Sequence, residues 1–325
     1  MVVTRLLDVR DLRTQLVTKW GTVRAVDGVS FALGEGETMG LVGESGSGKT
    51  MTCLSITRLL PRPAGRIVGG QVLLDGDDLV RKTEREMQRI RGRKISMILQ
   101  DPMSSLNPVF SIGMQVQEPI AIHHGLRGRA LRERAVQLLA AVGISSPADR
   151  LRLYPHQLSG GMRQRVVGAM AITGPPRLVI ADEPTTSLDL TIQAQYLKLL
   201  KELHDRHRLA MIFVTHNLGI VAKMCDTVAV MYAGRIVEQG PVRTIFSAAA
   251  HPYTRALLAS VPRVGGGRVK LTAIEGQPPD LTATPPGCAF APRCPHALAR
   301  CRAEAPPEVH LAASHRARCW LVTGS

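Results

Sequence analysis

Three stretches of this chain carry residue types suited to phosphate chemistry. Gly43–Thr50, GESGSGKT, follows an apolar run and opens a helical pattern. A phosphate-binding loop needs that context, because its glycines let backbone N–H groups curl around anionic oxygens while the helix N-terminus adds its dipole. Gly43, Glu44, Ser45, Gly46, Ser47 and Gly48 would cradle the phosphates, Lys49 would reach the β- and γ-phosphates, and the Thr50 hydroxyl would take Mg²⁺. Leu178–Pro184, LVIADEP, is an apolar strand ending in two acids. Neighbouring carboxylates are costly to desolvate. Asp182 therefore reads as a Mg²⁺ holder and Glu183 as the base that orients or deprotonates an attacking water; the plainer alternative is a strand whose acids merely enter solvent. Leu158–Arg165, LSGGMRQR, sets glycines at the mouth of a helix starting near Ser159. Ser159, Gly160 and Gly161 there form a second anion site on the same chain.

The elements that would position these residues follow one rhythm. Strand-like runs end at Gly40–Val42, Ser96–Leu99, Leu178–Asp182 and Met211–Thr215, and each leads through a polar or glycine-rich loop into a helical pattern. That is the order of a mostly parallel sheet with helices on its faces, whose ligands gather at the carboxyl ends of the strands. A glycine-punctuated β region, about residues 4–36 and 66–75, would pack alongside, and a more helical insertion, about residues 101–174, interrupts the core. From Val261 the character changes. VPRVGGGRVK reads as a linker, followed by a Pro-rich, Cys-bearing segment with little periodicity.

Composition bounds the rest. The chain has 325 residues, 45 % of them hydrophobic, enough for one large α/β domain with an appendage. No apolar run approaches the roughly 18 residues that suggest a membrane span. The N-terminus, MVVTRLLDVRDL, alternates like an opening strand and lacks the apolar core of a signal peptide, so the protein is expected to stay in the cytoplasm. A net charge of +15 points to an acidic neighbour, nucleic acid or lipid headgroups, or to nothing more than an arginine-rich organism; the basic runs Arg81–Lys94 and His123–Arg134 read as solvated helix faces. Of six cysteines, Cys53 and Cys225 sit in apolar stretches as small core residues.

With these motifs in view, the sequence resembles the nucleotide-binding subunit of the ABC transporter superfamily over about Leu6 to Gly240, LSGGM matching its LSGGQ signature. The resemblance implies an ABC cassette of the P-loop NTPase class: a mostly parallel α/β core, an antiparallel β subdomain and a helical subdomain, dimerising head to tail so that each ATP is held between two cassettes. It implies that Gln100 is the Q-loop glutamine touching Mg²⁺ and the water, that Ser187–Asp189 (SLD) is the D-loop at the dimer interface, and that His216 is the switch histidine contacting the γ-phosphate. Trp20, 23 residues ahead of Gly43, resembles the aromatic on which adenine stacks; its alternative is a hydrophobic strand residue. Met162 stands where the wider superfamily has Gln, leaving the phosphate contact to Ser159 and backbone amides.

Longer stretches resemble the oligopeptide and dipeptide permease ATPases: Gln100–Pro119, Tyr154–Val166, Met231–Gly240 and His251–Pro262. In that subfamily Met after SGG is common, whereas Glu often replaces Gln157. The tail offers Cys288, Cys294, Cys301 and Cys319 in a C-x₅-C-x₆-C-x₁₇-C spacing. Four thiolates in a reducing compartment suggest an iron–sulfur cluster or structural zinc, with free thiols the remaining alternative; the C-x₂₋₄-C knuckle usual for zinc is absent. His296, His310 and His315 are further possible zinc ligands, and Arg293, Arg300, Arg302 and Arg318 would offset the charge of a cluster. The permease-type tail resembles ones thought to carry [4Fe–4S].

The expected organisation is a nucleotide-binding cassette over residues 1–260, with its helical subdomain at about 101–174, and a Cys-rich extension over 261–325. The expected function is an ATPase on the cytoplasmic face of the membrane, energising an importer of peptides or related small solutes. Two transmembrane permease subunits, a second and paralogous ATPase, and an extracytoplasmic solute-binding protein would complete it, with no nucleic acid. A soluble ABC ATPase acting on nucleic acid or ribosomes suits the charge, but such translation factors usually carry two cassettes and this chain carries one. A nonhydrolytic scaffold fits poorly with an intact Glu183 and His216.

Overall fold

The computed structural model describes residues 5–100, 105–186, 189–261 and 273–323. Residues 1–4 of the opening strand, 101–104 of the Gln100–Pro119 stretch, Ser187 and Leu188 of the SLD motif, and 262–272 of the linker region lie outside the described residues. The chain begins β1 (Arg5–Thr18), β2 (Gly21–Gly34), β3 (Thr38–Val42), α1 (Lys49–Thr57), β4 (Gly65–Leu74), β5 (Asp77–Asp78), α2 (Glu84–Ile90) and β6 (Ile95–Ile98). Then come α3 (Ile112–His124), α4 (Gly128–Ala141), α5 (Pro147–Arg150), α6 (Gly160–Ala171), β7 (Leu178–Asp182), α7 (Leu190–His207) and β8 (Ala210–Thr215). The last elements are α8 (Leu218–Met224), β9 (Thr227–Tyr232), β10 (Arg235–Pro241), α9 (Val242–Ala248), α10 (Pro252–Ala259), α11 (Ala299–Ala303), β11 (Val309–Ala312) and β12 (His315–Ala317). No described helix is long and apolar enough to cross a membrane.

Two compact units result, with β8 divided between them. The first comprises residues 1–33, 38–81 and 213–325. One of its sheets runs β2-β1-β4-β5, with β1 and β4 antiparallel from Leu7↔Leu74 to Leu16↔Gly65. In the other, β3 pairs in parallel with β9, and β10, β12 and β11 follow in that order, each antiparallel to the strand before it. All five residues of β3 are buried, as expected of a parallel strand covered on both faces. The two-residue turn Ala233–Gly234 joins β9 to β10, both residues at positive φ (48° and 79°), the geometry that matches the twist of a tight hairpin.

The Pro-rich tail does not stand alone. Its β12 pairs with β10 through Glu238↔Ala317 and Gln239↔Arg316. Phe290 is buried in one cluster with Val42, Val230, Tyr232 and Tyr253. The three rings of Tyr232, Tyr253 and Phe290 meet at centroid separations of 4.6–5.3 Å, and each such pair adds about 0.5–1.5 kcal/mol beyond its buried area.

The second unit comprises residues 34–37 and 82–212. Here β6 and β7 pair in parallel from Ile95↔Leu178 to Ile98↔Ala181. Its helices read directly from the sequence. In α7, Tyr196, Leu197, Leu199, Leu200 and Leu203 are buried at helical spacing, while Lys198–Glu202 and Lys201–Asp205 pair on the outer face. Ser111 caps α3 and Thr83 with Glu86 forms a reciprocal capping box on α2.

Candidate functional site

In the first unit, the phosphate loop Gly43–Thr50 links β3 to α1. Gly43 (φ 153°) and Gly48 (φ 101°) adopt backbone conformations that side-chain-bearing residues avoid. A Cβ on Gly43 would lie 2.2 Å from the Met231 carbonyl, and one on Gly48 2.3 Å from the Ala25 carbonyl, so both positions exclude every other residue. The hairpin turn supports the loop from beneath, the Gly234 N–H donating to the Ser47 carbonyl at 2.9 Å. No side chain among the described residues caps α1, whereas Ser111, Ser159, Asp189 and Asn217 cap α3, α6, α7 and α8. The Lys49 ammonium is buried and donates to the Gly43 and Glu44 carbonyls, each at 2.8 Å. This cradle fits a polyphosphate: a left-handed glycine loop, an uncapped helix start and a lysine folded along the rim.

Trp20 occupies the turn between β1 and β2 and is 79 % exposed, with the Lys19 ammonium 4.2 Å from its ring. An indole so exposed contributes little to a core and leaves one aromatic face for stacking. His216 follows β8, exposed, immediately before Asn217, whose side chain accepts from the Gly219 N–H at 2.9 Å to cap α8.

In the second unit, every residue of β7 is buried, Asp182 included. Glu183 follows with φ 44°, a left-handed conformation that a branched-free acid tolerates only under constraint. Its Oε2 accepts from the Thr186 hydroxyl at 2.8 Å and from the Gln100 amide at 3.4 Å. Gln100 and Glu183, 83 positions apart in the chain, are thus brought together. Ser159 caps α6, its oxygen accepting from the Met162 N–H at 3.4 Å; its own O–H remains a donor for an anion beside Gly160 and Gly161. Asp189 caps α7 by accepting from the Thr191 and Ile192 N–H groups at 3.0 and 2.9 Å. Gln157 accepts from the Tyr154 N–H at 2.8 Å.

The metal centre expected in the tail is corrected by the structure. Cys288, Cys294, Cys301 and Cys319 do line one small pocket with His251 and Phe290. Among the described residues, however, no group of three or more His, Cys, Asp or Glu side chains is arranged to hold a metal ion, so neither the [4Fe–4S] cluster nor zinc is supported. The surroundings of the pocket differ from those expected. Burial pushes the Cys288, Cys294 and Cys319 thiols up. Arginines expected to offset a cluster's charge are engaged elsewhere: Arg293 with Glu44, Arg300 with Glu304 and the Trp320 ring, and Arg318 with Glu308. The tail also borrows its core from the cassette through Phe290 and β12, so it needs no metal to organise it. His315, a possible zinc ligand, instead bonds buried Glu238 at 2.9 Å.

Two residues with clear roles near the phosphate loop escaped the sequence reasoning. The Tyr253 hydroxyl accepts from the Glu44 N–H at 2.9 Å, and Arg293 grips the Glu44 carboxylate. Tyr253 falls within the His251–Pro262 stretch and Arg293 next to Cys294, but neither role is legible locally, since 209 and 249 positions separate them from Glu44.

A glycine cradle with its lysine, paired acids at the end of a buried strand and a capped signature helix define an ATP-binding cassette. Comparison with known proteins agrees. The family model described as "ABC transporter" matches residues 26–186, and that for "Oligopeptide/dipeptide transporter, C-terminal region" matches 237–301. The chain is 50 % identical to the oligopeptide transport ATP-binding protein OppD of Bacillus subtilis, over 98 % of this chain and 90 % of that protein. It is 48 % identical to the dipeptide transport ATP-binding protein DppD of the same organism, over 98 % and 95 %. The solved dimeric structure of a bacterial ABC transporter cassette superposes with a TM-score of 0.64 at 25 % identity, covering 73 % of this chain and 99 % of that one. The chain therefore belongs to the ABC transporter family, among the ATP-binding proteins of oligopeptide and dipeptide transport.

Proposed function

We propose that this chain is the ATP-hydrolysing subunit that energises a membrane importer of peptides, associated peripherally with permease subunits and served by a solute-binding protein. The observation that carries the hydrolytic reading is Glu183, directly after buried Asp182, with a left-handed backbone and a carboxylate that accepts from Thr186 and Gln100. A carboxylate so constrained is aimed, and a carboxylate is a group that can accept a proton from water. In this reading the amides of Gly43–Gly48 and the Lys49 ammonium bind the phosphates, and Trp20 stacks on the adenine. Thr50, Asp182 and Gln100 would hold Mg²⁺, which when bound would neutralise charge developing on the phosphate oxygens. Glu183 orients the water and takes its proton, and His216 contacts the γ-phosphate.

The arrangement by domains follows: a cassette over 1–260 with its helical subdomain at about 101–174, and an extension over 261–325. Ser159, Gly160, Gly161 and Asp189 serve the ATP bound by a second cassette. That cassette is a paralogue, two permease subunits span the membrane, and the pair sits on the cytoplasmic face. Support comes from the dimeric form in which a similar cassette was solved and from the likeness to peptide-transport ATP-binding proteins. The same likeness favours transport over action on nucleic acid. The deciding experiment is ATP hydrolysis by this chain alone, then with its permease and partner ATPase in proteoliposomes. Stimulation by the partners and by a peptide-loaded binding protein is expected; a rate first order in this chain and indifferent to them would refute the reading.

A further inference from the structure

The tail reaches the phosphate loop through one buried side chain. Arg293 is only 5 % exposed, and all five of its N–H groups find acceptors. Nη1 donates to Glu44 Oε2 at 2.7 Å and to the Tyr232 hydroxyl at 3.2 Å. Nη2 donates to Glu44 Oε1 at 3.0 Å and to the Ile274 carbonyl at 3.1 Å, and Nε to the Glu275 carbonyl at 2.9 Å. A planar guanidinium bound to both oxygens of one carboxylate fixes orientation as well as position, which a lysine could not do.

Glu44 is gripped at three points. Arg293 holds its carboxylate, the Tyr253 hydroxyl accepts from its N–H, and its carbonyl accepts from the Lys49 ammonium. The residue that parks the phosphate-binding lysine is thus itself anchored by two residues far along the chain. The same tail segment also touches the strand behind Trp20. The Arg24 N–H donates to the Leu281 carbonyl at 3.0 Å, and the Thr282 side chain packs 3.7 Å from where a Cβ on Gly21 would stand. Residues 274–293 therefore contact both the phosphate loop and the base of the turn that presents the indole.

We propose that Arg293 is a positioning residue for nucleotide: through its bidentate grip on Glu44, the C-terminal extension presets the phosphate loop, so that ATP binding and ordering of residues 274–293 are coupled. The proposal rests on reading Gly43–Thr50 as the ATP loop. The coupling is reciprocal by thermodynamic necessity: an extension that favours the binding-competent loop is itself ordered by nucleotide.

The test uses the full-length chain, with MgATP binding followed by titration calorimetry in wild type, Arg293→Met, Glu44→Gln and the double variant. Each single substitution is expected to weaken binding about five- to tenfold, the lower part of the range for coupled sites. The double variant should be no weaker than the weaker single, because both remove one interaction. Arg293→Lys should restore part of the affinity. In the assembled transporter, Arg293→Met should raise the KM for ATP while kcat stays near wild type, a split that a general loss of folded protein does not produce. Hydrogen exchange across residues 274–293 should slow when MgATP is added to wild type and not to Arg293→Met. Unchanged ATP affinity in a folded Arg293→Met protein, or strictly additive single effects, would overturn the proposal. Should Arg293→Met not fold, Glu44→Gln and its exchange profile decide the matter alone, with unchanged affinity again overturning it. A wild-type chain that binds no MgATP would instead strike the nucleotide reading itself, and the proposal with it.

Discussion

The end of β7 and the cysteine pocket of the tail both gather chemically capable side chains, and the surroundings give them opposite characters. At the strand end, the Glu183 carboxylate accepts from two donors, Thr186 and Gln100, which fix its direction. In the pocket, Cys288, Cys294 and Cys319 are raised by burial, so the neutral thiol dominates, and nearby arginines bind other partners. Convergence of ligand-type residues is therefore not enough to make a site. What matters is how the neighbouring side chains hold and direct them.

The comparison is broken or sharpened most strongly at Glu183. Glu183→Gln should retain MgATP binding while phosphate release by the assembled transporter falls at least about 100-fold, the lower bound for losing a positioned base. Turnover near wild type would remove Glu183 from the chemistry and make the strand end no different in kind from the pocket.

Lys49→Ala should act on binding instead. Losing a charge-assisted contact worth about 1.5–3 kcal/mol weakens MgATP affinity at least about tenfold, read by calorimetry. Trp20→Ala should weaken it by a similar or smaller amount, about 1–3 kcal/mol, with kcat retained, because stacking adds affinity without touching the reacting atoms.

In the pocket, the nature of the replacement should matter more than the loss of sulfur. Cys301 is buried, so Cys301→Ala should be tolerated, whereas Cys301→Ser buries a hydroxyl and should cost about 1–3 kcal/mol in denaturant unfolding. MgATP affinity should change in neither. Equal and severe losses from Ala and Ser would restore a ligand role to this cysteine.

The smallest effect concerns His251, which lines the same pocket and caps α10 by accepting from the Tyr253 N–H at 3.0 Å. Burial, aided by nearby Arg255, pushes its pKa down to about 4. An unfolded histidine titrates near 6.5, so between about pH 6.5 and pH 4 the unfolded chain takes up a proton that the folded chain refuses. Stability should accordingly fall as pH drops through that window, and be unaffected by this group above it. His251→Asn keeps a capping acceptor and should flatten the profile there; an unaltered profile would show that the neutral pocket is not its source.

By itself the sequence determined the cassette. Local patterns carry it: glycines that alone tolerate the backbone at positions 43 and 48, the apolar run ending in Asp182–Glu183, and glycines at the mouth of the helix after Ser159. Each is a matter of near neighbours, so spacing reveals it. Only the tertiary structure decided the fate of the tail. Four cysteines and four arginines at irregular intervals suit a metal centre as a string of letters. Folding buries the thiols, sends Arg293 to Glu44 across 249 positions, and packs Phe290 against Tyr232 and Tyr253. Those partners come from distant parts of the chain, and the charge state of a thiol or the direction of a guanidinium follows from what surrounds it in space.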